Sequence, residues 1–555
     1  MTASISPKRR RALRTSPSGV VAQGAGLPYW RLFAQAYIST PNGRVPPTVT
    51  SSPGHSVWSP SSPDREFPVS EPRDSAERLE RGALGVGSIV FFVVAAAAPL
   101  TVMAGIAPLG IKIAGIGAPV VYLVAGLVLA IFAVAFTAMS KYIHNAGAFY
   151  SYITLGMGKP VGLGSAAVAV FSYNAIQIGL YGAFGYFASV TAKDLVGVNL
   201  PWWLWAGVGM VLVWFLGYRS IRAGAVVLGV LLIAETGILV ILAVAVLIQG
   251  GAEGVSLDSF TPANLTTAGM ASVLALAFGA FIGFEATAIY REEARNPDRT
   301  IPWATYIAVG FLALFYAFMA WMIVQAFGSK TMSVATSDPA SMYFTAATDY
   351  VGAWATTVMR ILIVTSNFAA LLAFHNAITR YVYALSAEGV LPRRLGHVHP
   401  KYRSPYIAGL AQTALAAVVV GGFALFGADP YLQLLLWVNT PGVVGFVLLQ
   451  GLAAFAVWRF FRRTPHAESA VRTVVAPLVA SALLLGATGL IVWNIDLLTA
   501  GGPMVDTIIL LSVPAVFLVG VWYATWMRKH RPADYARIGT TNVDADELED
   551  AEPGA

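Results

Sequence analysis

From Leu84 to Met527 the chain repeats one pattern, an apolar run of roughly 20 residues followed by a short polar joint. Such a run is the length an α-helix needs to cross a hydrocarbon core of about 30 Å. The runs predict twelve helices, centred near Val94, Gly126, Gln177, Gly209, Gly237, Gly279, Leu314, Thr365, Ala416, Val443, Leu485 and Ala515.

Composition agrees with that pattern: 57% of the 555 residues are hydrophobic and 11% charged, too little polar surface for a water-soluble globule. The expectation is an all-α protein embedded in the lipid bilayer. The formal net charge of +7 does not point to nucleic acid, because the basic residues are spread over short joints and form no single patch. Their distribution predicts topology instead. With the N-terminus in the cytoplasm, Arg219, Arg222, Arg291, Arg295, Arg299, Arg393, Arg394, Lys401, Arg403, Arg459, Arg462, Arg463, Arg528 and Lys529 fall inside, whereas the opposite loops hold Lys112, Lys193 and Lys330. The expected location is the cell (inner) membrane with both termini cytoplasmic. The chain has no cysteine, which excludes disulfides and thiol chemistry.

Three regions are expected. Residues 1–80, with KRRR at Lys8 to Arg11 and repeated Ser-Pro and Pro-Pro pairs, read as a disordered cytoplasmic tail. Residues 84–527 form the transmembrane domain, and residues 531–555, acidic from Asp544 to Glu552, form a solvated cytoplasmic tail.

Two of the twelve runs are interrupted. In the sixth, Gly279 and Gly283 stand four apart and Glu285 follows before the run turns into REEARNPDRTIPWA. In the first, Pro99 removes a backbone donor in mid-run, with Gly105 and Pro108 beyond it. A single kinked span is ordinary, but two interruptions five spans apart suggest two five-helix halves of opposite direction, with the breaks facing each other at mid-membrane. There, free N–H groups can hold a carboxylate and free carbonyls an ammonium. That is a description of a zwitterion site.

The run GFEATAIYREEARNPDRTIP, Gly283 to Pro302, resembles the sixth-helix signature of the amino acid, polyamine and organocation (APC) transporter family. HNAGAFYSYITLGMGKPVG, His144 to Gly162, is similar to the segment after that family's second helix. AFHNAITRYVYALSAEGVLPRRLGHVHPKYRSP, Ala373 to Pro405, is similar to its connection between helices 8 and 9. The resemblance implies a fold of twelve transmembrane helices, a five-plus-five inverted repeat with broken helices 1 and 6 plus two C-terminal helices. It also implies alternating access and transport of an amino acid or related amine. The implied substrate-binding positions are Ala97, Ala98, Pro99, Leu100 and Thr101 in the first span, Tyr173, Asn174 and Gln177 in the third, and Phe278, Gly279, Ala280, Phe281 and Gly283 in the sixth. Many relatives carry Gly-Ser-Gly or Gly-Thr-Gly in the first break, where this chain reads AAAAPLT; some place a Trp where it has Gly279.

Other polar residues in the spans carry two readings each. Glu235, apolar on both sides in the fifth span, is costly to keep charged there and is either a proton-coupling group or a structural hydrogen-bonding partner; in some relatives a lysine near this place replaces a sodium ion. Tyr173, Gln177 and Tyr181 share one helical face and either meet substrate or bond between helices. Glu285 either orients the broken helix or contacts the amine, the first being favoured. Thr365 and Ser366 stand at possible sodium-ligand positions, although bonding to a preceding carbonyl is the favoured reading. Arg360 can snorkel at the outer end of its helix. The REEARN cluster suggests a salt-bridge latch.

Enzymatic constellations are not found. Glu292 and Glu293 are adjacent among arginines, His397 and His399 lack a third ligand, and there is no P-loop. No cofactor or metal is expected. The reading that results is a secondary active transporter of an amino acid or amine, coupled to protons in preference to sodium. The alternatives are an amino acid or amine exchanger, or a nontransporting membrane sensor of the same fold.

Overall fold

A computed structural model describes residues 84–143, 148–219, 225–291, 294–402 and 404–539. The N-terminal tail and the acidic stretch from Asp544 to Glu552 lie outside the described residues, as do Arg222, Glu292, Glu293 and Arg403. The described chain is all helical, its sole β-type pairing being a bridge between Leu84 and Ala294.

Every expected centre falls within a helix. Among the described residues, eleven helices are long and apolar enough to cross a membrane, and Trp202–Tyr218, the fourth segment, is a shorter apolar helix of 17 residues. In chain order the others are the first span Val86–Gly105, the second Ala107–Tyr142, the third Lys159–Val196, the fifth Gly229–Gln249 and the sixth Ala268–Thr287. The seventh is Pro297–Ser337, the eighth Ala353–Ala387, the ninth Tyr406–Leu425, the tenth Pro430–Phe461, the eleventh Val471–Trp493 and the twelfth Pro503–His530. The second, third, sixth, seventh and tenth have the most buried windows, whereas the twelfth is 17% buried and lies at the edge of the bundle.

Small residues let these helices approach, as expected where lipid supplies no hydrophobic drive for helix association. A Cβ built on Gly126 of the second span would lie 2.3 Å from Cβ of Ala313 in the seventh, and one on Gly442 of the tenth 2.8 Å from the Ser172 carbonyl in the third. A methyl group fits at neither contact.

Hydrogen bonds sort the helix ends into two groups. At one end Thr191 donates to the Arg360 carbonyl at 3.2 Å, Ala252 N–H to the Gln325 carbonyl at 2.9 Å and Thr267 to the Ala114 carbonyl at 3.1 Å. Arg360 also pairs with Asp194 at 2.6 Å, a specific partner for the side chain expected to snorkel. At the other end Arg295 N–H meets the Leu84 carbonyl at 2.8 Å, Ser404 donates to the Tyr218 carbonyl at 2.5 Å, and Lys141 pairs with Glu468 at 2.5 Å. The basic joints Arg295, Arg299, Arg393, Arg394, Lys401, Arg462 and Arg463 belong to this second end.

The expected solvated tail starts with a docked segment. Pro532–Arg537 is helical, Ile538 is 1% exposed, and the Gly539 N–H donates at 3.0 Å to Glu388, a buried carboxylate that also accepts from Tyr150. Lys159 reaches the Tyr535 carbonyl at 3.0 Å. One apolar residue in a run of polar ones is too weak a signal to predict such docking.

Candidate functional site

Both interrupted spans break where the sequence suggests. The first span is helical from Val86 to Ala96 and again from Pro99 to Gly105, and between them Ala98 adopts the left-handed conformation, φ 46° and ψ 68°. Pro99 cannot donate into the preceding turn, so the chain leaves the helix ahead of it. The left-handed alanine costs about 1 kcal/mol or more, a strain that buried surroundings must hold in place. In the sixth span the helix ends at Ala280, turns through Phe281 to Gly283, and resumes with tighter winding from Phe284 to Arg291. Gly283 carries the turn with φ 115°, a conformation that favours glycine.

The two breaks touch. A Cβ placed on Gly283 would lie 3.4 Å from Cβ of Ala96 and 4.0 Å from the Ala97 nitrogen. Ala97, Ala98, Leu100, Phe278, Ala280 and Phe281 are all buried around this junction.

Glu285 spans the sixth break. One carboxylate oxygen, Oε2, accepts the Gly283 N–H at 2.9 Å, and the other, Oε1, accepts the Tyr173 hydroxyl from the third span at 3.0 Å. The carboxylate therefore fixes the turn that Gly283 makes possible. Tyr173 is held in turn by aromatic neighbours, with ring centroids 5.8 Å from Phe446 and 6.0 Å from Phe374.

Glu235 stands at the first break. Its carboxyl lies within hydrogen-bonding reach of the Ser366 side chain and the Leu100 backbone N–H, the second residue of the resumed helix. It lines a cavity of about 20 Å³, room for one water, together with Ala95, Leu231, Thr365 and Ser366. Its Oε2 is buried without a protein partner. Ser366 accepts the Thr101 hydroxyl at 2.9 Å, joining the eighth span to the first break. The favoured bonding to a preceding carbonyl thus holds for Thr365, which donates to the Leu362 carbonyl at 3.0 Å, and not for Ser366. Accepting from Thr101 leaves the Ser366 proton free, and the Glu235 carboxyl is within its reach.

Three expected positions lie elsewhere in their contacts. Gln177 donates to the Leu371 carbonyl at 3.0 Å and accepts from Gln412, so it joins the third, eighth and ninth spans. Asn174 bonds back to the Val170 carbonyl at 2.8 Å within its own helix. Gly279 faces the tenth span, where an added Cβ would lie 3.2 Å from Val443 Cγ2.

Sequence reasoning missed Tyr316 of the seventh span. Fully buried, it directs its hydroxyl to the Ala97 carbonyl at 3.4 Å and sets its ring edge-on to Phe281 at 6.0 Å, so that it touches both breaks. In the run ALFYAFMAW nothing distinguishes this tyrosine from its aromatic neighbours.

Comparison with known proteins places this arrangement. The amino acid permease family model matches residues 84–527, from the start of the first span to the last turn of the twelfth. The chain is 26% identical over 301 residues to the transporter Rv1999c of Mycobacterium tuberculosis, covering 51% of this chain and 61% of that one. It is 26% identical over 316 residues to the branched-chain amino acid permease BcaP of Bacillus subtilis, covering 54% and 66%. With the low-affinity putrescine importer PlaP of Escherichia coli it shares 23% identity over 316 residues, covering 54% and 65%. The chain thus spans about three fifths to two thirds of the length of these relatives. On the match to its entire membrane domain, the protein belongs to the amino acid permease family of transporters.

Proposed function

We propose that the protein is a secondary active transporter that carries an amino acid or related amine across the cell membrane by alternating access. The observation that carries this reading is the contact of the two broken spans, Gly283 against Ala96, with the Glu285 carboxyl bonded to the sixth break and the Glu235 carboxyl lining a small cavity beside the first. Backbone that is irregular at membrane depth is stable only where protein or a ligand satisfies it. The names of BcaP and PlaP support a substrate bearing an amino group.

In this reading the fold has twelve transmembrane helices, the 17-residue fourth helix included. The first five and the next five are inverted halves, and the last two are peripheral. The basic helix ends face the cytoplasm, as the charge asymmetry suggests, and both termini lie on that side. Substrate seats between the breaks, and Glu235 is the proton-coupling group. Thr365 and Ser366 are the positions where sodium would act if it replaced the proton.

The test is uptake of labelled amino acids and amines into proteoliposomes containing the full chain, with and without an imposed pH gradient. Gradient-driven accumulation is the expected result. Uptake only into vesicles preloaded with substrate would make the protein an exchanger, and absence of any uptake or binding would remove the transport reading.

A further inference from the structure

The docked residues 532–539 are tied to the ends of two spans and to the helix between the second and third. Lys159, which opens the third span, donates to the Tyr535 and Ala536 carbonyls and lies over the Tyr535 ring, 5.5 Å from its centroid. Glu388, next after the eighth span, accepts the Gly539 N–H at 3.0 Å. A Cβ on Gly389 would meet the Asp534 carboxyl at 2.8 Å, and one on Gly539 the Thr154 methyl at 2.8 Å.

From the connecting helix Ala148–Met157, two lines of contact run to the sixth break. Tyr150 donates to the same Glu388 carboxyl. Its ring centroid is 6.4 Å from that of Tyr381, and Tyr381 is 6.4 Å from Tyr173, whose hydroxyl holds Glu285 and through it Gly283. The adjacent Phe149 meets Phe132 at 5.9 Å, and Phe132 meets Phe284 at 6.0 Å. Two consecutive residues of one helix thus reach the two residues that follow the Gly283 turn. All of these rings are buried, so a shift in one displaces the next.

The sixth break is shut in this arrangement, because a single Cβ on Gly283 already comes within 3.4 Å of Ala96. A substrate seated between the breaks must part them, and Phe149 and Tyr150 must then give way. We infer that residues 532–539 are an autoinhibitory strap, which fixes Tyr150 through Glu388, holds the sixth break shut and lets it open on release. The inference rests on the transport reading above and adds a control of rate to it. A contact made in the shut form alone lowers the population of every other form.

The experiment frees the strap in the full chain. Ile538→Asp does so by placing an unpaired carboxylate in a buried seat, and Lys159→Ala by removing the ammonium that holds the segment. Amide deuterium exchange is followed at residues 532–539 and 281–286, and initial uptake into proteoliposomes is measured with a labelled panel of amino acids and amines, leucine and putrescine included. Both variants are expected to exchange faster in both segments and to raise the initial rate about threefold. Damage to packing alone would lower that rate. Release of 532–539 with exchange at 281–286 unchanged, release with a rate unchanged or lowered, or no release in either variant overturns the inference. Coupled exchange with no uptake of any panel member by parent or variants leaves the strap on the sixth break standing and removes the transport reading.

Discussion

The Tyr173 hydroxyl donates to Oε1 of Glu285 at 3.0 Å while Oε2 of the same carboxylate holds the Gly283 N–H at 2.9 Å, so one side chain of the third span steadies the turn of the sixth. Removing the hydroxyl alone tests this relationship. Tyr173→Phe keeps the ring against Phe374 and Phe446 and deletes one hydrogen bond to a buried carboxyl, worth about 1–2 kcal/mol. We expect the half-saturating substrate concentration to rise about tenfold or more and the melting temperature to fall by a few degrees. Unchanged transport in purified Tyr173→Phe would remove the hydroxyl from the site.

Gly283 is more exacting than Gly279. At Gly283 any other residue must adopt φ 115° and meet Ala96, so Gly283→Leu is expected to insert normally and to abolish binding and uptake. At Gly279 an alanine meets only Val443 Cγ2, at 3.2 Å, and the neighbouring side chain can shift. Gly279→Ala should therefore retain more than half of the parent rate. Equal rates for Gly283→Leu and the parent would show that the sixth break does not line the path.

Coupling is tested at Glu235. Glu235→Gln cannot exchange a proton, so accumulation against a gradient and the pH dependence of uptake should both disappear. Exchange at saturating substrate persists, since it needs no net proton movement. Should Glu235→Gln retain pH-driven accumulation, the coupling group is another one, and replacing sodium by choline would test Thr365 and Ser366.

Away from the spans, Glu468 reports on acid stability. Burial alone would raise its pKa, but the hydrogen bond and charge of Lys141, joined by Arg472 at 2.9 Å, hold it below the usual carboxylate value of 4.5. A carboxylate whose pKa is lowered by folding contributes stability that is present above 4.5 and is lost as pH falls through the folded value. Glu468→Gln should thus lower stability by about 0.5 kcal/mol at pH 7, and the melting curves of variant and parent should converge below pH 4.5. A difference that persists at lower pH would mean that packing, not charge, is lost.

Topology is open to labelling because the chain has no native cysteine. Single cysteines at the exposed positions Val196, Leu257 and Ser333 should react with impermeant reagent added outside intact cells, and those at Arg295 and Lys401 should not. The opposite pattern reverses the orientation.

The helices and both breaks were legible because each rests on a local rule. Twenty apolar residues make a span, Pro99 lacks a donor, and Gly283 permits a backbone that other residues avoid. The partners of the polar side chains were not legible. Gln177 and Tyr173 share one helical face in sequence, yet Gln177 bonds to the eighth and ninth spans and Tyr173 to the sixth. Which neighbour a polar group meets depends on helix packing, and local pattern does not encode it. Tyr316 was invisible for the same reason, and Ser366 was read as satisfied within its own helix because Thr101 lies 265 residues away.

The docked segment beyond the twelfth span bears on biogenesis. Lys159 and the Tyr535 carbonyl are 376 residues apart in sequence, and Glu388 and the Gly539 N–H are 151 apart. Contacts of such separation cannot form until nearly the whole chain has left the ribosome, long after the early spans have entered the bilayer. Until then Glu388 lacks the Gly539 donor and the surface that receives Ile538 is uncovered. A chain stopped short of Gly539 keeps every span and still carries that uncovered patch, which quality-control proteases can recognise as the mark of an unfinished protein.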